Sequence, residues 1–302
     1  MIVVTGSEGF IGKNLVAELK RRGNDDIISL DIKSETLESI YQWLMEHVKE
    51  INCIYHIGAI NDTMEMNKNL FDKNNVECSI FIWNLCAEYQ IPLIYASSAA
   101  TYGDGKQGFD DEKSILNLEP LNPYGWSKQQ FDTWVEGTFK RPPFWYGLKF
   151  FNVYGYNEAP KNRMASVIFH FYNQIVKDGM VKIFNADQSE YKNGEQKRDF
   201  VYVDDVVDAC IFMGTEKPAS GIYNVGTGKA RSFNDIVKVI FKILAKPENI
   251  SYIDMPNVLK ERYQYFTEAK INKLKGVGYK KPFTELEDGI LKYINKINDK
   301  TS

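Results

Sequence analysis

The amino terminus carries the feature that most constrains the fold, a short apolar strand that runs through a glycine-rich turn into a helix. Residues 2–5 read Ile-Val-Val-Thr, three glycines follow within residues 6–12, and the helical pattern continues to about Arg22. Such glycines let the backbone approach a pyrophosphate, which then lies at the positive end of the helix. A second strand pattern over residues 27–30 ends in Asp31, at the spacing where a carboxylate accepts hydrogen bonds from an adenosine ribose. The sequence therefore predicts an α/β fold with a dinucleotide-binding parallel sheet.

A second constraint lies in the stretch 95–128. An apolar strand pattern over residues 92–96 ends in small hydroxylated residues that include Ser98, so we expect their side chains at the carboxyl edge of the sheet. Tyr124 and Lys128 are four residues apart in a predicted helix and therefore share one of its faces. A phenol has an ordinary pKa near ~10, and a neighbouring cation together with a hydrogen bond from Ser98 would lower that pKa. We interpret these three residues as a catalytic triad.

The Tyr-x-x-x-Lys spacing is common by itself, and a solvated helix face is its simpler explanation. The order of the motifs favours the catalytic interpretation. A phosphate-binding first turn is followed by a serine-rich strand end about ninety residues later and then by Tyr-x-x-x-Lys. This order resembles that of the short-chain dehydrogenase/reductase superfamily in its extended form, whose members modify nucleotide sugars.

The length, composition and charge of the chain limit the classes of protein to which it can belong. The chain has 302 residues, which is long enough for one large domain and a smaller one, and 44% hydrophobic with 25% charged residues is typical of a soluble globular protein. The net charge of −3 gives no reason to expect a nucleic acid or an anionic membrane as partner. No apolar run reaches transmembrane length, and the first strand begins at residue 2 without room for a signal peptide. We therefore expect a cytoplasmic protein.

Cysteine and histidine usage argues against metal chemistry. The four cysteines show no paired metal-ligand spacing, and the three histidines lie far apart in the sequence. We predict neither a metal site nor a disulfide. His56, at the end of a predicted strand, is interpreted as a packed residue.

Longer motifs carry a more specific resemblance. The segments YASSAATYG, PYGWSK, FNVYG followed by MASVIFH, KRDFVYVDDV, YNVGTGKARSF and RYQYFTEA are similar to the ADP-L-glycero-D-manno-heptose 6-epimerase family of lipopolysaccharide core-sugar synthesis. The resemblance runs from the first strand to near residue 285. It implies a Rossmann-type doubly wound parallel sheet over residues 1–156, with later returns near 199–226. It also implies a smaller α/β carboxyl-terminal domain over residues 157–302 that mainly binds substrate.

The resemblance also implies a reaction. The family uses tightly held NADP to oxidise the C6″ hydroxyl of an ADP-heptose, turns the keto intermediate, and returns the hydride to its other face, with no net redox change. Tyr124 would be one base, with Lys128 lowering its pKa and holding the nicotinamide ribose while Ser98 steadies the oxygen. Lys161 falls where the family has the opposing base, although the sequence alone would make it an exposed loop lysine. A homo-oligomer is a further expectation from the family.

Binding residues carried over by motif form two groups. The cofactor group comprises Gly6, Gly9, Phe10, Ile11, Gly12, Asp31, Ile32, Lys33, Ile57, Gly58, Ala59, Ile60, Asn61, Asn75, Tyr124, Lys128 and Val153. The group for the nucleotide-diphosphate sugar comprises Asn152, Arg163, His170, Phe184, Asn185, Ala186, Asp187, Arg198 and Tyr263. On spacing alone, Asn75 is equally well a surface helix amide, and the aromatic and basic cluster around Tyr263 is equally well core packing.

The chain departs from the family pattern near the expected cofactor and substrate. Between Asp31 and Cys53 there is room for one helix only, where the family has a further strand, so the adenosine end should be more open. An aspartate at this strand end favours NAD, and Lys33 is left to meet the 2′-phosphate of NADP, so NAD remains possible. Arg163 replaces a small polar residue, and residues 188–196 resemble an insertion beside the substrate.

Three other functions are weighed at this stage. A hexose 4-epimerase would need Tyr124 but not Lys161. A 4,6-dehydratase would need an acidic pair where this chain has Ala99 and Ala100. A dinucleotide-binding scaffold without chemistry has no need of an activated phenol, and the intact triad argues against it.

Overall fold

The computed structural model describes residues 1–186, 191–260 and 263–299. The strands are β1 (Ile2–Thr5), β2 (Ile27–Leu30), β3 (Cys53–His56), β4 (Leu93–Ser98), β5 (Trp145–Phe150), β6 (Asn152–Tyr154), β7 (Val181–Phe184), β8 (Lys197–Tyr202), β9 (Gly221–Val225), β10 (Ala230–Ser232) and β11 (Ile250–Ile253). The helices are α1 (Phe10–Arg21), α2 (Leu37–His47), α3 (Lys68–Phe71), α4 (Cys78–Tyr89), α5 (Pro123–Gly137), α6 (Val167–Asp178), α7 (Val203–Glu216), α8 (Phe233–Ile243), α9 (Asn257–Lys260), α10 (Asn272–Gly276) and α11 (Leu286–Asn298). A π-helical segment (Asp72–Glu77) joins α3 to α4.

A six-stranded sheet with the order β2-β1-β3-β4-β5-β9 forms the centre, and every neighbouring pair in it is parallel. After β1 the chain adds β2 on one side and then crosses to add β3 on the other, so β1 and β3 flank a topological switch point. Ligands of open α/β sheets bind in the crevice at such a point. The predicted Rossmann-type parallel sheet is therefore confirmed. Two smaller sheets, β10-β8-β6 and β11-β7, lie outside it.

The central sheet ends at β2, on the side where the sequence predicts an adenosine. β2 is an edge strand, and α2 alone connects it to β3, as the sequence predicted. α2 is fixed at its start by Thr36, whose hydroxyl accepts from the backbone N–H of Ser39 at 3.1 Å. Its buried residues, among them Leu37 and Ile40, provide the apolar face that covers this end of the sheet.

Helix α5, which carries Tyr124 and Lys128, begins with strong local signals. The Asn122 side chain accepts from the backbone N–H of Gly125 at 2.8 Å, and Pro123 occupies the first helical position, where its missing N–H costs nothing. Tyr124 therefore lies in the first turn of the helix and Lys128 one turn later. Farther along α5, Phe131 and Val135 are buried against the core.

Within residues 1–186, 191–260 and 263–299, every helix is too short or too polar to cross a bilayer. The same residues contain no group of three or more His, Cys, Asp or Glu side chains that could hold a metal ion. The four cysteines are free and buried.

The glycine-rich turn is packed by backbone alone. Gly6 has φ +70°, and a Cβ there would overlap the backbone of Gly58 at the end of β3. A Cβ on Gly12 would overlap the carbonyl oxygen of Gly6. Close approach between the turn, the first turn of α1 and the end of β3 therefore depends on the missing side chains.

We expect Gly12→Ala to lower the free energy of unfolding by about 1–3 kcal/mol, because its methyl group must push the turn away from α1. The affinity of this variant for the dinucleotide should fall as well. Gly137→Ala is the matched control, since Gly137 is also helical and a Cβ there meets nothing within 4 Å. That variant should keep or slightly raise the melting temperature. Equal melting temperatures for the two variants in calorimetry would contradict the packing argument.

Candidate active site

Three cavities meet at the carboxyl edge of the central sheet. We name them the turn cavity, of 470 Å³ beside the glycine-rich turn, the outer cavity, of 810 Å³ between α6, β7 and β8, and the junction cavity, of 320 Å³ between the other two. Phe151 lines all three, and Lys161 lines both the turn cavity and the outer cavity. The three cavities thus form one continuous cleft.

The turn cavity collects the predicted cofactor residues. All of that group except Asn75 line it, from the glycines of the turn through the end of β3 to Tyr124, Lys128 and Val153. Its walls include the ends of five neighbouring strands, β2, β1, β3, β4 and β5, and the start of α1. This is the arrangement that a dinucleotide requires, with its pyrophosphate on the helix start and its two rings on either side.

Asp31 organises the far end of the turn cavity. Its carboxylate accepts from the backbone N–H of Glu8 and of Lys33, each at 2.9 Å. The Lys33 ammonium donates to the carbonyl oxygen of Glu8 at 3.2 Å. The aspartate therefore ties the strand end to the glycine-rich turn, and Lys33 is the cation at the cavity wall beside it.

Asn75 lies behind the wall of the cavity. Its side chain is buried, accepts from the backbone N–H of Ile60 at 2.8 Å, and donates to the carbonyl oxygen of the same residue at 2.9 Å. It also donates to the hydroxyl of Ser127 on α5 at 2.9 Å. In this structure Asn75 holds the loop that follows β3 against the catalytic helix.

The predicted triad comes together at the cavity wall. Ser98 ends β4 and is hydrogen-bonded to the phenol of Tyr124. The Lys128 ammonium donates to the carbonyl oxygen of Ala96 on the same strand at 2.9 Å. All three reacting side chains line the turn cavity, and Ser98 and Tyr124 also line the junction cavity.

Burial dominates the protonation of this triad. It raises the pKa of Tyr124, whereas the hydrogen bond from Ser98 lowers it by a smaller amount. The expected fall in the phenol pKa is therefore wrong for the protein alone, because the cost of an ionised phenol in apolar surroundings exceeds the help from its neighbours. Burial also lowers the pKa of Lys128 to about 8.

Lys161 is not an exposed loop lysine. It lies on a short 3₁₀ segment, Ala159–Met164, with its ammonium 5.3 Å from the ring centroid of Phe10. Burial lowers its pKa, and the nearby Glu158 opposes that shift. A half-buried amine with a lowered pKa at the wall shared by two cavities is suited to proton transfer.

Arg163 lies at the mouth of the cleft. It lines the outer cavity and forms an ion pair with Asp62, which follows β3 and lines the turn cavity. Asn162, between Lys161 and Arg163, has φ +49° and ψ −122°, a backbone conformation that residues other than glycine rarely adopt. The ion pair and the unusual backbone together fix the segment that carries Lys161.

Arg198 and Tyr263 form the shared wall of the outer and junction cavities. Arg198 is only 7% exposed, donates to the carbonyl oxygen of Lys197 at 3.0 Å, and lies 5.1 Å from the ring of Tyr263. Among the residues that the structure describes, no carboxylate lies within ion-pair distance of this guanidinium. It is therefore available for an anionic ligand. Asn152 lines the same two cavities, and His170 and Phe184 line the outer one.

Two predicted substrate residues are engaged elsewhere. The Asn185 side chain donates to Asp254 at 2.9 Å, and the backbone N–H of Ala186 donates to Asn193 at 3.0 Å. Neither residue lines the three cavities. Asp187 and part of the predicted insertion at 188–196 lie outside the described residues.

Sequence reasoning missed several wall residues. These are Glu8, Leu37, Ile40 and Cys78 in the turn cavity, Thr63, Met64 and Gln264 in the junction cavity, and Gln174 and Lys182 in the outer cavity. The apolar spacing of Leu37 and Ile40 on α2 is a signal that could have found them, and Glu8 lies within the glycine-rich turn. No local motif marks the remaining residues.

His56 agrees with its interpretation as a packed residue. One ring nitrogen is 2.7 Å from the hydroxyl of Thr5, the other is 3.0 Å from that of Ser79, and burial lowers its pKa to about 3. It is therefore neutral at physiological pH.

We expect Asn75→Ala to weaken dinucleotide binding about 10-fold or more, because the loop after β3 loses the hydrogen bonds that hold it; at about 1 kcal/mol each, the loss of two or three is sufficient. Titration calorimetry with the dinucleotide measures this. Asn173→Ala removes an exposed helix amide on α6 that donates to the carbonyl oxygen of Phe169 one turn earlier, and this variant should bind the dinucleotide normally. Unchanged affinity in Asn75→Ala would show that the loop holds its shape without the amide.

Comparison with known proteins places the chain in a family. The profile of the NAD dependent epimerase/dehydratase family matches residues 2–226. The chain is 44% identical to ADP-L-glycero-D-manno-heptose-6-epimerase of Fusobacterium nucleatum, over 97% of each chain. The crystal structure of the Helicobacter pylori enzyme of the same name superposes with a TM-score of 0.81 at 27% identity, covering 98% of this chain and 96% of the other.

A more distant structure agrees in fold. UDP-glucose 4-epimerase of Thermus thermophilus, solved as a complex with NAD, has a TM-score of 0.81 at 22% identity and covers 98% of each chain. With the matched profile, the full-length likeness to heptose epimerases and the observed cleft, the chain belongs to the NAD dependent epimerase/dehydratase family, in its ADP-L-glycero-D-manno-heptose-6-epimerase branch.

Proposed function

We propose that this protein is an isomerase that inverts C6″ of ADP-D-glycero-D-manno-heptose to give the L-glycero epimer for lipopolysaccharide synthesis. The observation that carries the proposal is the pair of proton-transfer groups on opposite elements of one cleft. Tyr124 comes from α5 and Lys161 from the segment before α6, and both line the turn cavity. A two-base inversion through a ketone uses one proton-transfer group on each face of the carbon, and this pair would provide them.

The first half of the reaction uses the triad. When bound, a nicotinamide dinucleotide supplies the hydride acceptor and a positive charge. Tyr124 takes the proton of the C6″ hydroxyl, Ser98 donates to the same oxygen, and the Lys128 ammonium holds the nicotinamide ribose. The added positive charge favours the ionised phenol and so works against the burial that raises its pKa in the protein alone.

Lys161 serves the other epimer. Burial lowers its pKa, so its ammonium gives up a proton more readily than that of an exposed lysine, and the amine that remains can act as the base in the reverse direction. After the keto intermediate has turned within the cleft, Lys161 protonates the oxygen on the opposite face as hydride returns to carbon. The same two groups exchange roles in the reverse direction.

The outer cavity is proposed to hold the ADP end of the substrate. Arg198 would bind the diphosphate, since its guanidinium is buried without a carboxylate partner in the described part of the chain. Tyr263 and Asn152 would orient the sugar, and His170 and Phe184 would line the nucleoside end. Residues 1–156 with the return near 199–226 would then bind the cofactor, and residues 157–302 mainly the substrate. A homo-oligomer and a cytoplasmic location stay predictions.

We expect Tyr124→Phe and Lys161→Met each to reduce epimerisation of ADP-D-glycero-D-manno-heptose by about 10²–10⁴-fold, because each removes one of two bases. NMR of the C6″ configuration measures the reaction. Lys140→Met, which removes an exposed lysine that lines none of the three cavities, is the control and should retain turnover.

The same experiment separates the rival functions. A hexose 4-epimerase would lose activity with Tyr124→Phe but keep it with Lys161→Met, and would act on a UDP-hexose instead. A cofactor-binding scaffold would bind nicotinamide dinucleotide and turn over neither sugar. Either result would overturn the assigned substrate.

For the cofactor we propose NADP, with Lys33 meeting its 2′-phosphate. Both oxygens of Asp31 accept backbone N–H groups, which partly offsets the carboxylate charge, and the Lys33 ammonium lines the same wall. Lys33→Met should therefore weaken NADP about 10-fold, in line with loss of one charge-assisted bond, and leave NAD binding nearly unchanged. Calorimetric titration with both dinucleotides measures this. Tighter binding of NAD than NADP to the unaltered protein would make NAD the cofactor.

A further inference from the structure

A buried ion pair that the proposed reaction does not use lies directly behind the triad. Asp132 on α5 and Lys149 on β5 are both 0% exposed, and the ammonium donates to the carboxylate at 2.7 Å. A buried pair of this kind contributes little net stability, since an apolar pair of similar volume is often as stable. Its position therefore calls for another explanation.

The pair is the centre of a network that ends at Ser98. The carboxylate of Asp132 also accepts from the hydroxyl of Ser97 at 2.6 Å and from that of Tyr95 at 3.1 Å. On the other side, Lys149 donates to the hydroxyl of Thr101 at 2.6 Å, and Thr101 donates to the carbonyl oxygen of Ser98 at 2.8 Å. Both sides of the turn after β4 are thus fixed to α5 and β5.

The same carboxylate lies one helical turn beyond Lys128. Residues four apart on a helix share a face, so Asp132 is the nearest carboxylate on the helix that carries Tyr124 and Lys128. Cys78, at the start of α4, also raises the pKa of Lys128. The charge of Lys128 in turn lowers the pKa of His56 on β3. Cys78 is a neutral thiol whose pKa is raised by burial, and His56 is neutral.

We propose that Asp132 and Lys149 are positioning residues of the active site: their ion pair fixes the Ser98 turn against the catalytic helix and places a negative charge one turn from Lys128. The inference rests on the proposed roles of Ser98, Tyr124 and Lys128. Asp132 opposes the burial that lowers the pKa of Lys128, and it also raises the pKa of Tyr124. The net result is a lysine that keeps its proton near neutral pH.

The sign of the effect gives the test. Removing the charge of Asp132 should lower the pKa of Lys128, so the alkaline limb of the kcat profile moves to lower pH. Asp132→Asn alone leaves Lys149 buried without its partner and can unfold the protein, so the double variant Asp132→Asn/Lys149→Met is the main one. Lys149→Met alone retains the carboxylate and should not lower the pKa of Lys128. If the two residues had a purely structural role, the double variant and Lys149→Met alone would change the pKa of Lys128 in the same direction.

The readout is competitive acetylation of the full-length protein with trace acetic anhydride, with the labelling of Lys128 followed by mass spectrometry against pH. We expect an apparent pKa of about 8 in the unaltered protein and a value about one unit lower in the double variant. Turnover should fall about 100-fold at neutral pH. Asp205→Asn is the matched control, because Asp205 is 3% exposed and bonds Thr284 far from the cleft.

The outcomes are distinct. An unchanged Lys128 pKa in a folded double variant, or an equal shift in Asp205→Asn, overturns the inference. The labelling does not involve the sugar. If Lys128 shifts as expected while the unaltered protein leaves the sugar nucleotide unchanged, the inference stands and the proposed substrate fails.

Discussion

The hydrogen-bonded register of β4 between β3 and β5 determines the geometry of the whole cleft. Parallel pairing sets Ser97 opposite Lys149 and Ser98 opposite Phe150, so the strand ends meet at one edge. The catalytic helix is attached to the same strand through the bond from Lys128 to Ala96. Because side chains alternate along a strand, a shift of one residue would turn Ser98 away from Tyr124 and bury it on the opposite face. The position of Ser98 beside Tyr124 is thus a consequence of the register of the sheet.

The sequence could predict those parts of the site that local chemistry encodes. The glycine-rich turn, Asp31 and the Tyr124 to Lys128 spacing each follow from a strand or helix boundary. The structural role of Asn75 could not be predicted, because its partners Ile60 and Ser127 are distant in the sequence and the π-helical segment has no simple period. The residues that line the outer and junction cavities were predicted less well for the same reason. The wall that they form is assembled from loops whose orientation depends on long-range packing.

Burial explains the one physical expectation that proved wrong. Sequence spacing places a cation beside a phenol, but it does not report how much water surrounds them. In the folded protein, burial raises the pKa of Tyr124 and lowers those of Lys128, Lys161 and Arg198, so every group resists its charged form. A diphosphate bound beside Arg198, as proposed, would favour the guanidinium, and a cationic nicotinamide would favour the phenolate. The proposed function therefore links ligand binding to the protonation of these groups.

The shortened adenosine side changes where cofactor binding energy can come from. β2 is the sheet edge, Ile32 is 40% exposed, and the adenosine end is bounded mainly by Asp31, Lys33 and the apolar face of α2. An open end contributes less buried area and therefore less affinity. An epimerase that passes a hydride out and back must nevertheless retain its dinucleotide through the turn of the keto intermediate. The proposed pyrophosphate site at α1 and the proposed nicotinamide end beside Lys128 would then supply most of that affinity, and the first of them depends on the close backbone packing at Gly6 and Gly12.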